Sequence, residues 1–310
     1  MKIAIKKKEG NKESIEKGKL KPFLSIVIPC YNSEKTILPC IQSLLMQKNL
    51  PSHEIIVVDS STDSTPRLIT AQFPEVKLIH LEQQTYPGAG RNIGVQHAAG
   101  ENIAFIDSDC IAAENWVEQG MKALQEGYSI VGGSVENANP GGVSWADFFL
   151  TFNEFLPSMP QKEVTFMPTC NFFISKEIFE EIGGFREDLL AGEDTLFCYE
   201  AVKKYSLLFS PEVKISHTNR ITLKNFLHHQ QNFGKHSAYV RKIADLPGKV
   251  LVRHPLLSFA VPCIRSGRIT LRMLKYNRRF LSPYLFSFPL QFLGILAWST
   301  GFWKEVKKRI

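Results

Sequence analysis

The 310-residue chain lacks several features that would place a protein in a class immediately. Its six cysteines form no CxxC pair and no zinc-finger spacing, which favours reduced thiols in an intracellular protein. No apolar stretch follows the lysine-rich start, so no signal peptide is predicted. The mean hydropathy of -0.09 argues against a polytopic membrane protein. These absences leave the class of globular proteins, and the chain is long enough to bury a sizeable core.

Acidic residues are scarce at the two ends of the chain. The formal net charge is +7, but residues 1–21 contain eight Lys against three Glu, and residues 265–310 contain ten Lys or Arg against one acid, Glu305. Residues 22–264 therefore carry a net charge of -7. This distribution argues against a nucleic-acid partner for the body and indicates an anionic membrane surface as the partner of the basic ends.

The body alternates short apolar runs with amphipathic segments. Apolar runs typical of buried strands occur at Leu24–Ile28, Glu54–Val58, Val76–Leu81 and Asn102–Ile106. Helical spacing lies between them, including a helix predicted from about Arg91 to Ala99. This alternation predicts an α/β fold with βαβ units, a Rossmann-like and mostly parallel sheet flanked by helices.

The second half of the chain is predicted to be more mixed. The predicted strands are Asn171–Ser175, Ser206–Phe209 and Glu212–Ile215, and the predicted helices are Lys176–Ile182, Glu193–Lys204 and Thr222–Arg241.

Polar residues follow the ends of several predicted strands. Tyr31 and Asn32 follow the first, Asp59 follows the second, and Asp107 and Asp109 follow the fourth. Parallel sheets bind ligands outside the carboxyl ends of their strands, so these residues predict one acidic site.

Two short motifs in this set have the residue types that catalysis needs. Asp107-Ser108-Asp109 offers two carboxylates to Mg²⁺ or Mn²⁺, although an isolated DxD is more often a solvated turn. Gly192-Glu193-Asp194 begins a predicted helix, where acids favour the helix dipole and cap free N–H groups. The alternative is that Asp194 is a general base.

Four ordered segments resemble the family 2 glycosyltransferases, which have the GT-A fold. They are LSIVIPCYNSE (24–34), EIIVVDSSTDST (54–65), GAGRNIGVQHAAGENIAFIDSDC (88–110) and NFFISKEIFEEIGGF (171–185) followed by LLAGEDTLF (189–197). The resemblance spans about Phe23 to Arg241. It implies inverting transfer of a sugar from a nucleoside-diphosphate sugar, with Mg²⁺ or Mn²⁺, to a lipid-linked or cell-surface glycan acceptor.

The resemblance also implies roles for individual residues. The implied nucleotide-binding residues are Pro29, Tyr31, Glu34, Asp59, Arg91, Asp107 and Ser108; the implied metal ligands are Asp107, Asp109 and His217; and the implied catalytic residues are Asp194 and Glu193. Two of these have a purely structural alternative: Arg91 as an ion pair and His217 as a core-edge histidine.

This chain departs from the family pattern at two places. Ser60 stands where relatives often have a second acid that takes part in base recognition, so UDP-, GDP-, dTDP- and CDP-linked donors all stay open. A QxxRW motif, which processive relatives often carry, is absent from the sequence, and this favours single sugar additions.

Two other functions compete with glycosyl transfer. A nucleotidyltransferase on a similar sheet would need a phosphate-binding Gly-rich loop near the start, and the PCYNSE segment is not one. A membrane-bound, non-catalytic binder of sugar nucleotides is the other alternative, and Asp107, Asp109 and Asp194 argue against it.

An uncharged run, Leu281–Trp303, lies near the end of the chain. It is long enough to cross a bilayer, which needs about 20 apolar residues, but basic residues flank both sides. It could span the membrane, re-enter it, lie on it, or form the core helix of a C-terminal subdomain. We expect a membrane-associated protein with a cytoplasmic catalytic domain, divided into a basic tail (1–21), a GT-A domain (22–245) and a basic-apolar segment (246–310).

Overall fold

The computed structural model describes residues 22–308; the predicted basic tail 1–21, Arg309 and Ile310 lie outside them. Within this range nine strands form one sheet. The strands are β1 Leu24–Cys30, β2 His53–Asp59, β3 Lys77–His80, β4 Asn102–Ile106, β5 Cys110–Ala112, β6 Ile130–Asn137, β7 Lys162–Val164, β8 Asn171–Ser175 and β9 Leu207–His217.

Eleven α-helices and two short 3-10 segments accompany the sheet in the described range. The helices are α1 Ile37–Leu45, α2 Thr65–Gln72, α3 Pro87–Gln96, α4 Trp116–Gln125, α5 Gly142–Phe152, α6 Lys176–Ile182, α7 Glu193–Ala201, α8 Leu223–Ile243, α9 Val250–Arg253, α10 Val261–Tyr276 and α11 Leu281–Val306. The 3-10 segments are Pro255–Ala260 and Arg278–Phe280.

The sheet has a parallel half and a mixed half. The strand order is β3-β2-β1-β4-β8-β6-β9-β5, with β7 paired to β9. The four strands at the start of this order are parallel, as the sequence predicts. In the other half, β8 is antiparallel to both β4 and β6. The result is a mixed α/β sheet of the GT-A type.

The sheet edge at which the site is predicted opens where β1 and β4 separate. Their pairing ends at Val27 and Phe105, whereas β1 continues alongside β2 to Cys30. Pro29 lies beyond the end of the β1–β4 ladder, where its missing N–H costs no hydrogen bond to β4. The two strands therefore diverge just before Asp107.

Some of the predicted boundaries of helices and strands are wrong. The helix expected from Arg91 begins at Pro87, because a proline at the first helical positions is already set for helical φ. The two strands expected between Ser206 and Ile215 are one strand, β9, with a register shift where it passes Gly133 and Ser134 of β6. A shift of this kind breaks the period-two pattern, so the sequence shows two short strands.

The last helix packs against the rest of the protein along one face. Its buried residues are Tyr284, Ser287, Gln291, Gly294, Ile295, Gly301, Phe302 and Glu305. Helix α8 runs parallel to it: Gly294 lies against Phe226, and Gly301 lies against the backbone of Gln231 so closely that a Cβ would be 1.9 Å from that carbonyl oxygen.

Candidate active site

A cleft of about 1080 Å³ lies at the carboxyl edge of the parallel strands. This volume is large enough for a nucleotide-sized ligand. The residues that line it include Pro29 near the end of β1, Tyr31 and Glu34 of the β1–α1 loop, Ser60 and Asp63 after β2, Tyr86 before α3, Asp107, Ser108 and Asp109 after β4, and Asn139, Asn219 and Arg220. The sequence-predicted residues of the first and fourth strand ends therefore meet in one cleft.

Hydrogen bonds join the loops that follow β1, β2 and β4 on one side of this cleft. Asn32 has a positive φ of 50°, which Asn tolerates, and its N–H donates to Ser61 Oγ at 2.7 Å. Its side-chain oxygen accepts from the Thr62 N–H at 2.9 Å. The hydroxyls of Ser33 and Ser108 lie 2.7 Å apart, which ties the first loop to the DxD segment. The cleft wall is therefore preorganised.

Asp59 lies beside the cleft rather than on its surface. Its carboxylate is fully buried, with Oδ1 accepting from Ser61 Oγ and Oδ2 lying 2.6 Å from His80 Nδ1. The neighbouring Ser60 lines the cleft and accepts a hydrogen bond from the Thr85 N–H. In this structure the Asp59 carboxylate holds the β2 loop, and a contact with the base stays a prediction.

Arg91 connects the DxD segment to helix α7. Helix α3 packs closely on β1, where a Cβ at Gly94 would lie 2.3 Å from Val27 Cγ1. Arg91 is buried on this helix and is not among the residues that line the cleft. Arg91 Nη2 donates to Asp107 Oδ1 at 2.6 Å, and Nη1 donates to Glu193 Oε1 at 3.0 Å. Burial of the guanidinium is outweighed by the two carboxylates, which raise the pKa of Arg91. The ion pair is therefore present, and the Arg91 guanidinium stays positively charged.

Asp109 and His217 approach each other across the β5–β9 pairing. Cys110 faces His217 in the strand register, and Asp109 Oδ1 lies 3.5 Å from His217 Nε2. The other ring nitrogen, Nδ1, lies 3.1 Å from Asn219 Oδ1. An imidazole held in place by a neighbouring amide, next to a carboxylate, is an arrangement that metal sites use.

The donor set fits a divalent cation that accepts both oxygen and imidazole nitrogen. Asp109, Cys110 and His217 have potential ligand atoms within 4.8 Å of one another. Burial raises the pKa of the Cys110 thiol well above its usual range, and thiolate sulfur is a ligand that softer metals prefer. Asp109 and His217 remain, with Asp107 beside them, and Mn²⁺ suits this mixture better than Mg²⁺ does.

The Gly192-Glu193-Asp194 motif forms the start of α7. Gly192 has a φ of 89°, and a Cβ there would lie 2.8 Å from Val240 Cγ1 of α8, so the turn requires glycine. Glu193 is buried against Arg91, whereas Asp194 is partly exposed and its Oδ1 accepts from the Thr195 N–H at 2.6 Å. Although part of Asp194 stays exposed, the loss of water around its carboxyl group, followed by the charge of Glu193, raises the pKa of Asp194 to about 7. Neither acid is among the residues lining the main cleft.

A buried polar cluster lies behind Arg220, and the sequence did not predict it. Asp147 is fully buried and accepts hydrogen bonds from the Arg220 guanidinium at 3.3 Å, from His229 Nδ1 at 3.0 Å and from Gln230 Nε2 at 3.2 Å. These partners outweigh burial and hold the pKa of Asp147 well below its usual range. Arg220 lines the cleft, three residues after His217, and that spacing is the available signal in the sequence.

Comparison with known proteins assigns the family. Residues 25–183 match glycosyl transferase family 2, and the chain belongs to that family. It is 29% identical over 206 residues to glycosyltransferase AglE of Haloferax volcanii, covering 64% of this chain and 68% of AglE. It is 30% identical over 196 residues to the succinoglycan biosynthesis protein ExoO of Rhizobium meliloti, covering 58% of this chain and 56% of ExoO.

Solved structures agree on the fold. The mannosyltransferase PcManGT from Pyrobaculum calidifontis, in complex with GDP-Man and Mn²⁺, matches with a TM-score of 0.62 and 18% identity, covering 93% of this chain and 89% of that one. S. aureus TarS 1–349 in complex with UDP-GlcNAc matches with a TM-score of 0.51 and 19% identity, covering 91% and 90%. The chain is a family 2 glycosyltransferase with the GT-A fold, as the resemblance implies.

Proposed function

We propose that this protein is a metal-dependent, inverting glycosyltransferase that adds a sugar from a nucleoside-diphosphate sugar to a lipid-linked or cell-surface glycan. The observation that carries the proposal is the chain of contacts from Asp107 through Arg91 to Glu193, next to Asp194. It links the predicted metal end of the site to the predicted base.

Asp107, Asp109 and His217 would hold Mn²⁺ or Mg²⁺ at the cleft. When bound, the cation offsets the charge that develops on the departing nucleoside diphosphate. Arg220 reaches the same cleft, and its guanidinium suits an oxygen of the diphosphate. Tyr31 and Glu34 would lie near the base and ribose, since their loop lines the other side of the cleft.

Asp194 would act as the base. Its carboxylate accepts the proton of the acceptor hydroxyl as that oxygen bonds to the anomeric carbon from the face opposite the leaving group. The bond from the anomeric carbon to the β-phosphate oxygen breaks, and the nucleoside diphosphate leaves with the electron pair. Glu193 stays paired to Arg91 and positions the start of α7.

The donor nucleotide stays open between the four classes named above. Two similar solved structures are complexes, one with GDP-Man and one with UDP-GlcNAc. Ser60 in place of an acid separates this chain from many relatives, and its hydroxyl is already bonded to the Thr85 N–H. The acceptor class is supported by relatives named for succinoglycan biosynthesis and poly(ribitol-phosphate) glucosylation. We further propose that the protein is membrane-associated, with its catalytic domain cytoplasmic.

A panel of UDP-, GDP-, dTDP- and CDP-sugars tests this function. The full chain is titrated with each donor in the presence of Mn²⁺ or of EDTA. We expect one donor class to bind with Mn²⁺ and to bind at least about tenfold more weakly without it. Equal binding of every donor with and without metal would contradict the proposed metal site.

A further inference from the structure

We propose that helices α10 and α11 form a membrane-docking face that lies flat on an anionic lipid bilayer, with α11 in the interface rather than across the bilayer. This inference deepens the proposed membrane association and rests on it. We call this surface, made by the outward sides of Pro255–Ala260, α10 and α11, the docking face.

The docking face exposes many large apolar side chains. Within the described residues, one helical stretch, Arg278–Val306, is long and apolar enough to cross a membrane. Its most apolar 18-residue window has a mean hydropathy of 1.5, and 28% of that window is buried. The exposed apolar residues on the three elements are Leu256, Leu257, Phe259, Ile264, Leu271, Leu274, Leu285, Phe286, Phe288, Phe292, Leu293 and Leu296. A contiguous apolar surface of this kind indicates an interaction site.

Contacts between the three elements make this one surface. Helix α10 runs antiparallel to α11, since Thr270 Oγ1 lies 2.6 Å from the Tyr284 hydroxyl, and the Arg265 guanidinium lies 5.4 Å from the Trp298 ring centroid. Phe259 packs on Trp303 at the far end, with 4.1 Å between ring centroids. The exposed residues of α10 and of α11 therefore point outward from adjacent helices.

The charge around the docking face matches anionic headgroups. The sequence has no acid between Asp245 and Glu305, whereas α10 and the following turn expose Arg268, Lys275 and Arg278. Within residues 22–308, neither Lys275 nor Arg278 has an acidic partner within 4.0 Å. Apolar side chains interleaved with cations that lack an acidic partner are typical of helices that bind the surface of anionic membranes.

The opposite side of α11 argues against a spanning orientation. Helix α8 lies parallel to it, with Gly234 packed on the Trp298 backbone and Lys242 Nζ donating to the Glu305 carbonyl at 2.6 Å. A bilayer-spanning α11 would draw α8, with its exposed Lys235, into the hydrocarbon, at about 2.5–3.5 kcal/mol per charged residue near the centre. If α11 lies flat, α8 stays in water and only the exposed side of α11 is buried in the bilayer.

The docking face lies next to the cleft. A Cβ at Gly142 would lie 3.1 Å from the Phe286 ring, and Gly142 follows the cleft-lining Asn139 by three residues. Arg279 Nη2 donates to Glu136 Oε1 at 3.2 Å, which ties the same corner to β6. A flat orientation therefore brings the cleft rim close to the bilayer, where a lipid-linked acceptor would be presented.

Co-sedimentation with sealed vesicles tests the docking face. The full chain is mixed with phosphatidylcholine vesicles, with or without phosphatidylglycerol at about one third of the lipid. Each basic residue near an anionic surface contributes ~1 kcal/mol to binding. We expect the wild-type protein to bind the anionic vesicles. The double variants Leu271→Glu/Phe286→Glu and Lys275→Glu/Arg278→Glu should each bind them at least tenfold more weakly. The matched exposed control Met46→Glu should bind them as the wild type does. Mn²⁺ and donor binding should be unchanged in all variants, which separates failure of docking from failure of the proposed function.

Labelling distinguishes a flat helix from a spanning one. Among the six cysteines only Cys263 is exposed, so Arg278→Cys and Lys304→Cys are made separately in a Cys263→Ser background. We expect a membrane-impermeant maleimide to label both positions on vesicle-bound protein. Labelling of only one end of α11 would overturn the flat orientation. In the sedimentation experiment, a wild-type protein that stays in the supernatant as a dimer would show that the docking face binds a second copy of this chain instead of a membrane.

Discussion

Arg91 Nη2 lies 2.6 Å from Asp107 Oδ1. The same guanidinium reaches Glu193, so one buried cation holds an acid from the DxD motif and an acid from the start of α7. These residues come from distant parts of the chain. The ion pair expected as the structural alternative for Arg91 is therefore present, and it sets the position of the residues proposed to carry out the reaction. A contact between Arg91 and the nucleotide stays a prediction.

Replacing Arg91 with Lys is expected to lower both stability and transfer rate. Lysine keeps the charge but offers no planar fork for two carboxylates, so one buried acid loses its partner. We expect a loss of about 3 kcal/mol in the free energy of unfolding, measured by urea denaturation. The matched control is Arg186→Lys, whose partner Asp188 is exposed, and a loss of less than about 1 kcal/mol is expected there. Equal losses in the two variants would refute the linking role of Arg91.

Metal binding is expected to depend on Asp109 and His217 but not on Cys110. Mn²⁺ should raise the Tm of the wild-type chain, and Asp109→Asn and His217→Ala should each remove most of that shift. Cys110→Ala should keep it, because Mn²⁺ prefers carboxylate oxygen and imidazole nitrogen to a thiolate sulfur. A lost shift in Cys110→Ala with an intact shift in His217→Ala would reverse the assignment of ligands.

Substitutions at Arg220 and Asp147 are expected to separate an effect on donor binding from an effect on stability. Arg220→Ala should weaken donor binding about tenfold, since a charge-assisted hydrogen bond to a phosphate is lost. Asp147→Ala should do the same and also cost about 3–5 kcal/mol in stability, because it leaves Arg220 without its buried partner. Isothermal titration and urea denaturation measure the two effects. Unchanged donor affinity in Arg220→Ala would exclude the proposed phosphate contact.

The transfer rate is expected to fall on the acid side of neutrality. Asp194 acts as a base only when ionised, and its pKa is raised to about 7 by burial and by Glu193. Below that pH the ionised fraction drops about tenfold per pH unit, and the rate should follow it. Rates at saturating donor between pH 5 and 8.5 check this, with donor affinity measured at each pH as the control. A rate that stays flat down to pH 5 would rule out a base with a raised pKa.

Local sequence patterns could predict the parallel half of the sheet. The runs at Leu24–Ile28 and Asn102–Ile106 are apolar because both faces of these strands are buried, and the polar residues that follow them mark the cleft. A strand and its end are encoded within a few residues of each other. For this reason the amino-acid pattern alone is enough to place Asp107, Asp109 and Tyr31 at one edge of the sheet.

Contacts between distant segments could not be predicted in the same way. The division of β9 across its register shift depends on its pairing with β6. The partners of Asp147 come from Arg220 and α8, more than 70 residues away, so its burial leaves no local pattern. The uncharged run of α11 predicts a membrane contact, but its orientation depends on which side α8 covers.

The proton-accepting role of Asp194 is the central claim, and Asp194→Asn tests it most directly. Nucleoside diphosphate release is measured with the preferred donor, acceptor and Mn²⁺, alongside donor affinity, and Asp188→Asn serves as the exposed control close by in sequence. We predict that Asp194→Asn binds donor as the wild type does and transfers at least about 100-fold more slowly. Transfer by Asp194→Asn at a rate near that of the wild type would contradict the account.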